Sequence, residues 1–433
     1  MDILLVSPRL PASIFNHKSI INKIIIKTFS APKSATLPLL AALISEENHV
    51  EVVDETFSKI DYDMSYDLVG ITVITPVAPR AYQIADEFRR RGVKVVLGGW
   101  HVTALPGEAK QHADAVVIGE AELSLPKLLR DLKKGKLKTF YKNESPVDLK
   151  HIPISKRTVY QDYNFSANLQ ATRGCPMGCE FCNITNSTEG HVFRMRPIEN
   201  VIEEIKSIKT KNIWFYDPSL TINLNYTTKL FNEMKNLGKR FGAFGNIDKL
   251  EQNDDFLKLA SEAGCHTWFV GFESFSQDTI NKIGKKSNKV KMYASAVKKI
   301  HDYGMNIIGG FIFGFDTDTK NVFRNTIDAI NKLEIDCPEF TILTPYPGTS
   351  IFNRLEKERR ILTYDWSKYS EVKNVVFQPK NMTPKELLDR FEWVIKETYS
   401  LSGLIKRLFN SKRFNLANIA SNLYQYSWYN NAT

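Results

Sequence analysis

The sequence predicts an α/β protein built from two parallel-sheet domains and a helical C-terminal extension. Five continuous, β-branched apolar runs alternate with helix-like segments in the first 125 residues, and six more strand-like runs alternate with amphipathic segments between residues 167 and 344. Such runs are typical of strands buried on both faces of a parallel sheet. The last part of the chain is helical and basic, and 433 residues are too many for one ordinary core.

The first domain is predicted to be an open, doubly wound, Rossmann-like sheet over residues 1–135, followed by a polar, lysine-rich linker at 136–165. Ligands of such sheets bind beyond the carboxyl ends of the strands. No G-x-G-x-x-G follows the first strand, which argues against a plain dinucleotide-binding domain. The predicted strands are the runs 2–7, 49–54, 67–74, 94–99 and 115–120. The candidate ligand-binding residues at their ends are Thr75, Pro76, Gly98, Gly99, His101, Gly119 and Glu120.

The second domain is predicted to be a partial (β/α)6 barrel over residues 166–346, with a helical extension over 347–433. Every strand except the last is followed by a helix-like segment, so six units are present where a full barrel has eight. In such barrels the chemistry takes place at the C-terminal ends of the strands. The predicted strands are 167–172, 212–217, 241–246, 266–273, 306–314 and 339–344.

Three of the five cysteines lie together in "RGCPMGCEFCN" (173–183), directly after the first predicted barrel strand. They are Cys175, Cys179 and Cys182, whereas the isolated Cys265 and Cys337 are expected to be core residues. A structural zinc site normally has four protein ligands, so three thiolates leave one coordination position open. Soft thiolates at this density suit iron–sulfur chemistry. The alternative is a zinc site in which His191 is the fourth ligand.

The cysteine loop resembles the signature of the radical S-adenosylmethionine (SAM) superfamily. The segments "FYDPSL", "GFESFSQDTINKIGK", "GGFIFGFD" and "TPYPGT" are similar to further motifs of that barrel. In addition, "VKVVLGGWHVTALPGEA" and "ADAVVIGEAELSLPKLL" resemble the cobalamin-binding domain that precedes the barrel in one subgroup. That subgroup contains the anaerobic magnesium-protoporphyrin monomethyl ester cyclase and the hopanoid C-methylases. The resemblance covers residues 1 to about 400.

The resemblance implies a [4Fe–4S] cluster on the three clustered cysteines, with one iron free to bind SAM. Reductive cleavage of SAM would then give a 5′-deoxyadenosyl radical that abstracts hydrogen from an unactivated carbon. The implied SAM contacts are Phe181, Asp217, Asn246 and Glu273, and Asn246 stands where the family often has an arginine. Asp217 and Glu273 could instead cap the turn or helix that follows each of them. The residue that guides the substrate radical is not identified by the sequence.

Many cobalamin domains carry D-x-H-x-x-G after the first strand, and its histidine ligates cobalt. That motif is absent here, because His17 has no Asp two positions before it and no Gly three positions after it. Either cobalamin binds without this histidine, or the domain has kept its fold and lost the cofactor. We expect binding, and His101 is an alternative cobalt ligand.

With cobalamin, the expected reaction is C-methylation of a lipid, tetrapyrrole or natural-product intermediate. The alternatives are a radical SAM enzyme that cyclises, couples or rearranges its substrate without methylating it, and a non-catalytic iron–sulfur or cobalamin-sensing module.

The net charge of +10 is not accompanied by a nucleic-acid-binding signature, and no apolar run is long enough to cross a membrane. We expect a cytoplasmic protein that takes a small-molecule substrate and, by the resemblance, an electron from a donor such as flavodoxin or ferredoxin. The segments 18–28 and 383–414 are apolar or aromatic and also basic. They predict a cover over an apolar substrate, a peripheral contact with an anionic membrane, or a helical cap with a solvated basic face.

Overall fold

The computed structural model describes residues 1–11, 35–44, 46–159, 166–410 and 416–432. Its first sheet has six parallel strands in the order β2-β1-β3-β4-β5-β6. The doubly wound arrangement predicted from the sequence is therefore confirmed. The strands are β1 (Asp2–Ser7), β2 (His49–Asp54), β3 (Leu68–Thr72), β4 (Lys94–Gly98), β5 (Ala115–Ile118) and β6 (Phe140–Lys142).

Helices cover both faces of this sheet, which explains why its strands are apolar throughout. Ile3 and Leu5 pack toward one side, where α1 and α5 lie, whereas Leu4 and Val6 pack toward the side of α2. The strand β6 was not predicted, and it extends the sheet into the predicted linker, beyond residue 135. The helices here are α1 (Thr36–Leu43), α2 (Ala78–Arg90), α3 (Trp100–Ala104), α4 (Pro106–Ala109) and α5 (Ala121–Lys133).

The second sheet also has six parallel strands, in the order β14-β13-β12-β11-β10-β7. The sheet is the predicted partial barrel, and in the described part of the chain its edge strands β7 and β14 do not pair with each other. A short antiparallel ribbon of β8 and β9 lies apart from it. The strands are β7 (Ser166–Leu169), β8 (Thr172–Arg173), β9 (Arg194–Met195), β10 (Asn212–Phe215), β11 (Arg240–Phe244), β12 (Cys265–Glu273), β13 (Asn306–Phe313) and β14 (Cys337–Ile342).

Amphipathic helices follow the barrel strands and cover one face of the sheet. On β12, Trp268 and Phe272 are fully buried in this layer, while Phe269 and Gly271 alternate with them and face the other way. Cys265 and Cys337 are buried core residues, as expected. The helices are α6 (Asn183–Asn186), α7 (Ile198–Ser207), α8 (Leu224–Met234), α9 (Ile247–Gln252), α10 (Asp254–Glu262), α11 (Gln277–Lys282), α12 (Tyr293–Asp302), α13 (Val322–Leu333) and α14 (Ser350–Lys357).

The C-terminal extension contributes α15 (Pro384–Thr398), α16 (Leu401–Asn410) and α17 (Leu416–Ala432). The helix α15 begins at a reciprocal capping box that Thr383 and Glu386 form. The hydroxyl of Tyr429 on α17 donates to the Phe340 carbonyl at 2.8 Å and accepts from the Phe340 N–H at 2.6 Å. Tyr429 therefore satisfies backbone groups at the open edge of β14.

No helix in the described ranges is long and apolar enough to cross a membrane. The basic residues at 411–415 and the apolar segment 18–28 lie outside the described residues, so the membrane-contact prediction for them stays a prediction.

Candidate functional site

The cysteine loop begins where the first barrel strand ends and is held in a closed turn. The ribbon of β8 and β9 joins its two sides, and Cys175 N–H donates to the Gly190 carbonyl at 2.7 Å. Gly174 has φ 82°, and a side chain there would run into the Val192 carbonyl. Only glycine fits this position, which explains the "RGC" start of the loop.

The three cysteines have free thiols and differ in burial. Cys179 is 7% exposed, and Cys175 and Cys182 are half-buried. Burial raises the pKa of the Cys179 thiol to about 12, and it raises the pKa of Cys175 as well. A thiolate in this loop therefore requires a strong positive charge close by, such as that of bound iron.

The zinc alternative is not supported by the arrangement of side chains. His191 is exposed. Within the described ranges, no three His, Cys, Asp or Glu side chains are placed to hold a single metal ion. A [4Fe–4S] cluster contains several irons, and each of three Cys thiolates can bind a different one. The three clustered cysteines of this loop match that set of ligands.

Glu273 lies at the end of β12 and carries an unusual backbone conformation, with φ 61°. Its carboxylate forms a close ion pair with Lys285 Nζ, and both groups lie over the bare backbone of Gly271. Burial lowers the pKa of Lys285, but the charges of Glu273 and Cys179 outweigh it and raise the pKa overall. A side chain at Gly271 would collide with this pair.

Lys285 belongs to the site, and sequence reasoning missed it. Its charge interacts with all three clustered cysteines. The sequence holds two adjacent lysines at this point, Lys285 and Lys286, and the structure buries the first and exposes the second. No local pattern distinguishes them. The motif "GFES" was the only available signal, because Lys285 follows it by one short helix.

Asp217 is buried next to the cysteine loop. It is 2% exposed, and its carboxylate accepts from Ala171 N–H at 3.1 Å, from Thr172 N–H and from Thr172 Oγ1 at 2.7 Å. Burial raises its pKa to about 6. These donors lie at the base of the cysteine loop, so Asp217 helps to hold that loop, and its contact with SAM stays a prediction.

The other two implied SAM contacts are placed around the loop. The Phe181 ring lies 6.1 Å from the Phe315 ring, between the loop and the end of β13. Asn246 follows β11, and its Nδ2 atom is buried without a hydrogen-bond partner among the described residues. A buried unpaired amide is costly, so Asn246 has a donor available for a ligand.

A cavity of about 710 Å³ lies between the two sheets and is shared by both. From the first sheet it is lined by the strand ends that the sequence singled out at Gly98, Gly99, Gly119 and Glu120. From the second it is lined by residues of the cysteine loop and the adjoining strands: Gly174, Asn183, Ile184, Ser187, Glu189 and Tyr216. The turns at Gly98 and Gly119 lie at the carboxyl edge of the first sheet, where ligands of such sheets bind.

An ion network ties this edge to the cysteine loop. Arg194 donates to both oxygens of Glu120, at 2.6 and 2.9 Å, and Arg173 donates to Glu120 at 3.2 Å. Arg173 also pairs with Glu122 at 2.6 Å. Burial raises the pKa of Glu120, but the two arginines outweigh it and hold the pKa below its usual value. Arg173 is two residues before Cys175, so the two sheets are joined directly at the loop.

The predicted cobalamin contacts Thr75, Pro76 and His101 lie away from this cavity, and their contact with cobalamin stays a prediction. All three are buried inside the first domain and do not line the cavity. The ring of His101 lies 3.3 Å from Thr75 Oγ1 and 3.2 Å from Glu108, so both of its nitrogens have partners in the protein. Ile74 and Trp100, which sequence reasoning missed, are exposed and line the cavity instead. The turns after β3 and β4 direct alternate residues inward and outward. The sequence did not show which of these residues would face the cavity.

An aromatic wall, which sequence reasoning also missed, extends from the cavity along the inner face of the barrel. It consists of Trp214, Tyr216, Phe244 and Phe269, with ring centroids 4.6 Å apart for Phe244 and Phe269 and 6.0 Å apart for Tyr216 and Phe244. These residues alternate along their strands with residues that pack under the helices. That alternation in "NIWFY" and "FGAF" was the available signal.

The fold and the site define a class of protein: a Rossmann-like cobalamin-binding domain joined to a three-cysteine partial barrel. Residues 42–129 match the model of the B12 binding domain, and residues 169–330 match that of the radical SAM superfamily. The chain belongs to the cobalamin-binding radical SAM family. The cofactors of this family are a [4Fe–4S] cluster, SAM and cobalamin.

Relatives of known name support this membership. The chain is 34% identical over 392 residues to bacteriochlorophyllide d C-12(1)-methyltransferase of Chlorobaculum tepidum, covering 86% of this chain and 84% of that protein. It is 25% identical to hopanoid C-2 methylase of Rhodopseudomonas palustris, covering 87% and 75%. Among solved structures, the radical SAM methyltransferase TsrM of Kitasatospora setae has the same fold, with a TM-score of 0.68 at 18% identity over 82% of this chain and 78% of that one.

Proposed function

We propose that the protein is a cobalamin-dependent radical SAM C-methyltransferase. The observation that carries the proposal is the shared cavity. The strand ends suited to cobalamin and the cysteine loop open onto the same space, and the ion network of Arg173, Glu120 and Arg194 keeps them together. A methyl donor and a substrate radical must meet within bonding distance, so a common cavity is what this reaction needs.

In this proposal Cys175, Cys179 and Cys182 hold the cluster. Asn246, Glu273 and Phe181 contact SAM, and the turns at Gly98–Gly99 and Gly119–Glu120 border the corrin. When bound, the cluster and SAM supply a carbon radical on the substrate, and cobalamin supplies the methyl group.

The residues of the chain bind, orient and exclude water around this chemistry. The Glu273–Lys285 pair places a carboxylate and an ammonium beside the cysteine loop, where they can orient the charged amino-acid end of SAM. The Asn246 Nδ2 donor is free for a further hydrogen bond. The aromatic wall supplies an apolar, largely dry surface, on which a carbon radical is protected from solvent.

The substrate is proposed to be large, apolar and partly planar. The aromatic wall favours such a molecule, since stacking and burial on four rings stabilise flat apolar surfaces. Relatives are named for methylation of a bacteriochlorophyllide and of hopanoids. We therefore propose a tetrapyrrole or lipid substrate, a cytoplasmic enzyme with peripheral access to membranes for such substrates, and an external electron donor. The proposed division of the chain is 1–135, 136–165, 166–346 and 347–433, with β6 of the linker pairing onto the first sheet.

Anaerobic reconstitution tests the proposal. The protein loaded with iron, sulfide and hydroxocobalamin is expected to retain one corrinoid and, with SAM and dithionite, to form 5′-deoxyadenosine. A Cys179→Ala variant is expected to lose the cluster and SAM cleavage while keeping the corrinoid. Absence of a retained corrinoid band would favour the non-methylating alternative. An intact cluster without 5′-deoxyadenosine would favour the sensing module.

A further inference from the structure

The outer side of the cysteine loop reaches solvent. Pro176 and Gly178, between the first two cysteines, are exposed, and Cys175 and Cys182 are half-buried. The opposite side of the loop faces the cavity and the first domain. A protein that delivers an electron to this loop therefore approaches from the outer side.

The segment from Ser276 to Met292 borders that outer side. Glu180 in the loop donates its N–H to the Ile283 carbonyl at 3.1 Å. Gly284 is so close to Gly178 that a Cβ on it would lie 3.1 Å from the Gly178 carbonyl oxygen. The residues around Ile283 and Gly284 are therefore immediate neighbours of the exposed part of the cysteine loop.

This segment is strongly basic on its surface. Its exposed lysines, called the lysine rim here, are Lys282, Lys286, Lys289 and Lys291. The exposed acidic residue within 276–292 is Asp278, which pairs with Lys282 at 2.8 Å. Four lysines against one aspartate leave an excess of three positive charges. The nearby Glu180 does not offset them, because Arg354 holds its carboxylate at 3.1 Å.

We propose that the lysine rim is the docking surface for an acidic one-electron carrier protein. This proposal rests on the proposed function, since it names the partner that reduces the cluster. In the step concerned, one electron passes from the reduced carrier to the cluster, the carrier is oxidised by one electron, and no bond or proton is transferred. Complementary charge raises the rate of such encounters by about 10-fold to 1,000-fold and makes it fall with ionic strength.

Stopped-flow reduction of the reconstituted holoenzyme by flavodoxin hydroquinone, without SAM, tests this surface. The variant is Lys286→Glu/Lys289→Glu. The matched control is Lys134→Glu/Lys136→Glu, which makes the same charge change at exposed lysines of the first domain. At low salt the rim variant is expected to lower the second-order rate constant about ten-fold or more, and the control to change it less than two-fold. Reduction by the methyl viologen radical cation, whose charge is opposite to that of the carrier, is expected not to be slowed in the rim variant.

Equal rates for the rim variant and the control would contradict the proposal, as would a wild-type rate that does not fall with added salt. Slower reduction of the rim variant by the methyl viologen radical cation would place the defect in the cluster itself and would also contradict the proposal. If the rim binds phosphatidylglycerol vesicles while flavodoxin reduction is unaffected, the occupant is a membrane and the proposal is wrong. Failure of the reduced enzyme to cleave SAM would contradict the proposed function and leave this surface supported, because the two readouts are separate.

Discussion

The side chain of Asn186 joins the cysteine loop to the helix α14, and its removal gives a quantitative test of how the loop is held. Its Nδ2 donates to the Cys179 carbonyl at 3.0 Å and to the Cys182 carbonyl at 2.8 Å. Its Oδ1 accepts from the Ser350 N–H at 3.1 Å and from the Ser350 hydroxyl. The Ser350 N–H is one of the donors that a helix N-terminus leaves unsatisfied. One amide thus uses its full hydrogen-bonding capacity to fix the spacing of the last two cysteines.

The expected effect of Asn186→Ala follows from these four contacts. A hydrogen bond contributes about 1 kcal/mol net, and the two bonds to Ser350 are exposed, so we discount them. The two partly buried bonds and a residual share of the others amount to roughly 2 to 3 kcal/mol. Since 1.4 kcal/mol is about a factor of ten in an equilibrium constant, the loop should open about 30 to 140 times more often.

Release of cluster iron to an excess of chelator under anaerobic conditions measures this opening. The loss of visible absorbance is expected to be about 30 to 140 times faster in Asn186→Ala than in the wild type. Ser350→Ala is the control, because it removes only the hydroxyl contact, and it should accelerate release a few-fold at most. A rate for Asn186→Ala within about three-fold of the wild type would refute the assignment of Asn186 as a positioning residue.

Three further predictions concern other parts of the molecule. Burial raises the pKa of Glu339 to about 7, so the folded protein binds this proton more tightly than the unfolded chain and the wild type loses roughly 2 to 3 kcal/mol of stability between pH 5 and pH 8. Glu339→Gln should lack this loss and unfold at a higher temperature than the wild type at pH 8 but by much less at pH 5; parallel melting curves at both pH values would contradict it. Glu120→Gln leaves Arg194 without its carboxylate partner and Arg173 with only Glu122, and should weaken hydroxocobalamin binding about ten-fold in equilibrium dialysis; unchanged affinity would show that the ion network does not support the cofactor site. Tyr429→Phe removes two hydrogen bonds to β14 and should cost about 1 to 2 kcal/mol in thermal unfolding, with no loss of cluster content.

Much of the architecture could be predicted from the sequence because it depends on local patterns. Apolar runs of strand length, separated by amphipathic segments, indicated two parallel sheets, and the structure confirms that both sheets are parallel. The cysteine spacing and the role of Gly174 could also be predicted locally. A tight loop with one obligatory left-handed position depends on residues that are consecutive in the sequence. Strand ends at Gly98 and Gly119 also followed, because the carboxyl edge of a parallel sheet is where each strand stops.

The tertiary structure alone decided which groups the polar side chains pair with. Asp217 and His101 were predicted to contact ligands, and only the structure shows that Asp217 accepts from the backbone N–H groups of residues 171 and 172 and that His101 contacts Thr75 and Glu108. Only packing distinguishes Lys285 from Lys286 and places one in the site and the other at the surface. A side chain's hydrogen-bond partners are distant in sequence, so their identity depends on how the two sheets and the last helix come together. Local periodicity determines which face a residue is on, and long-range packing determines whether its polar atoms are still free there.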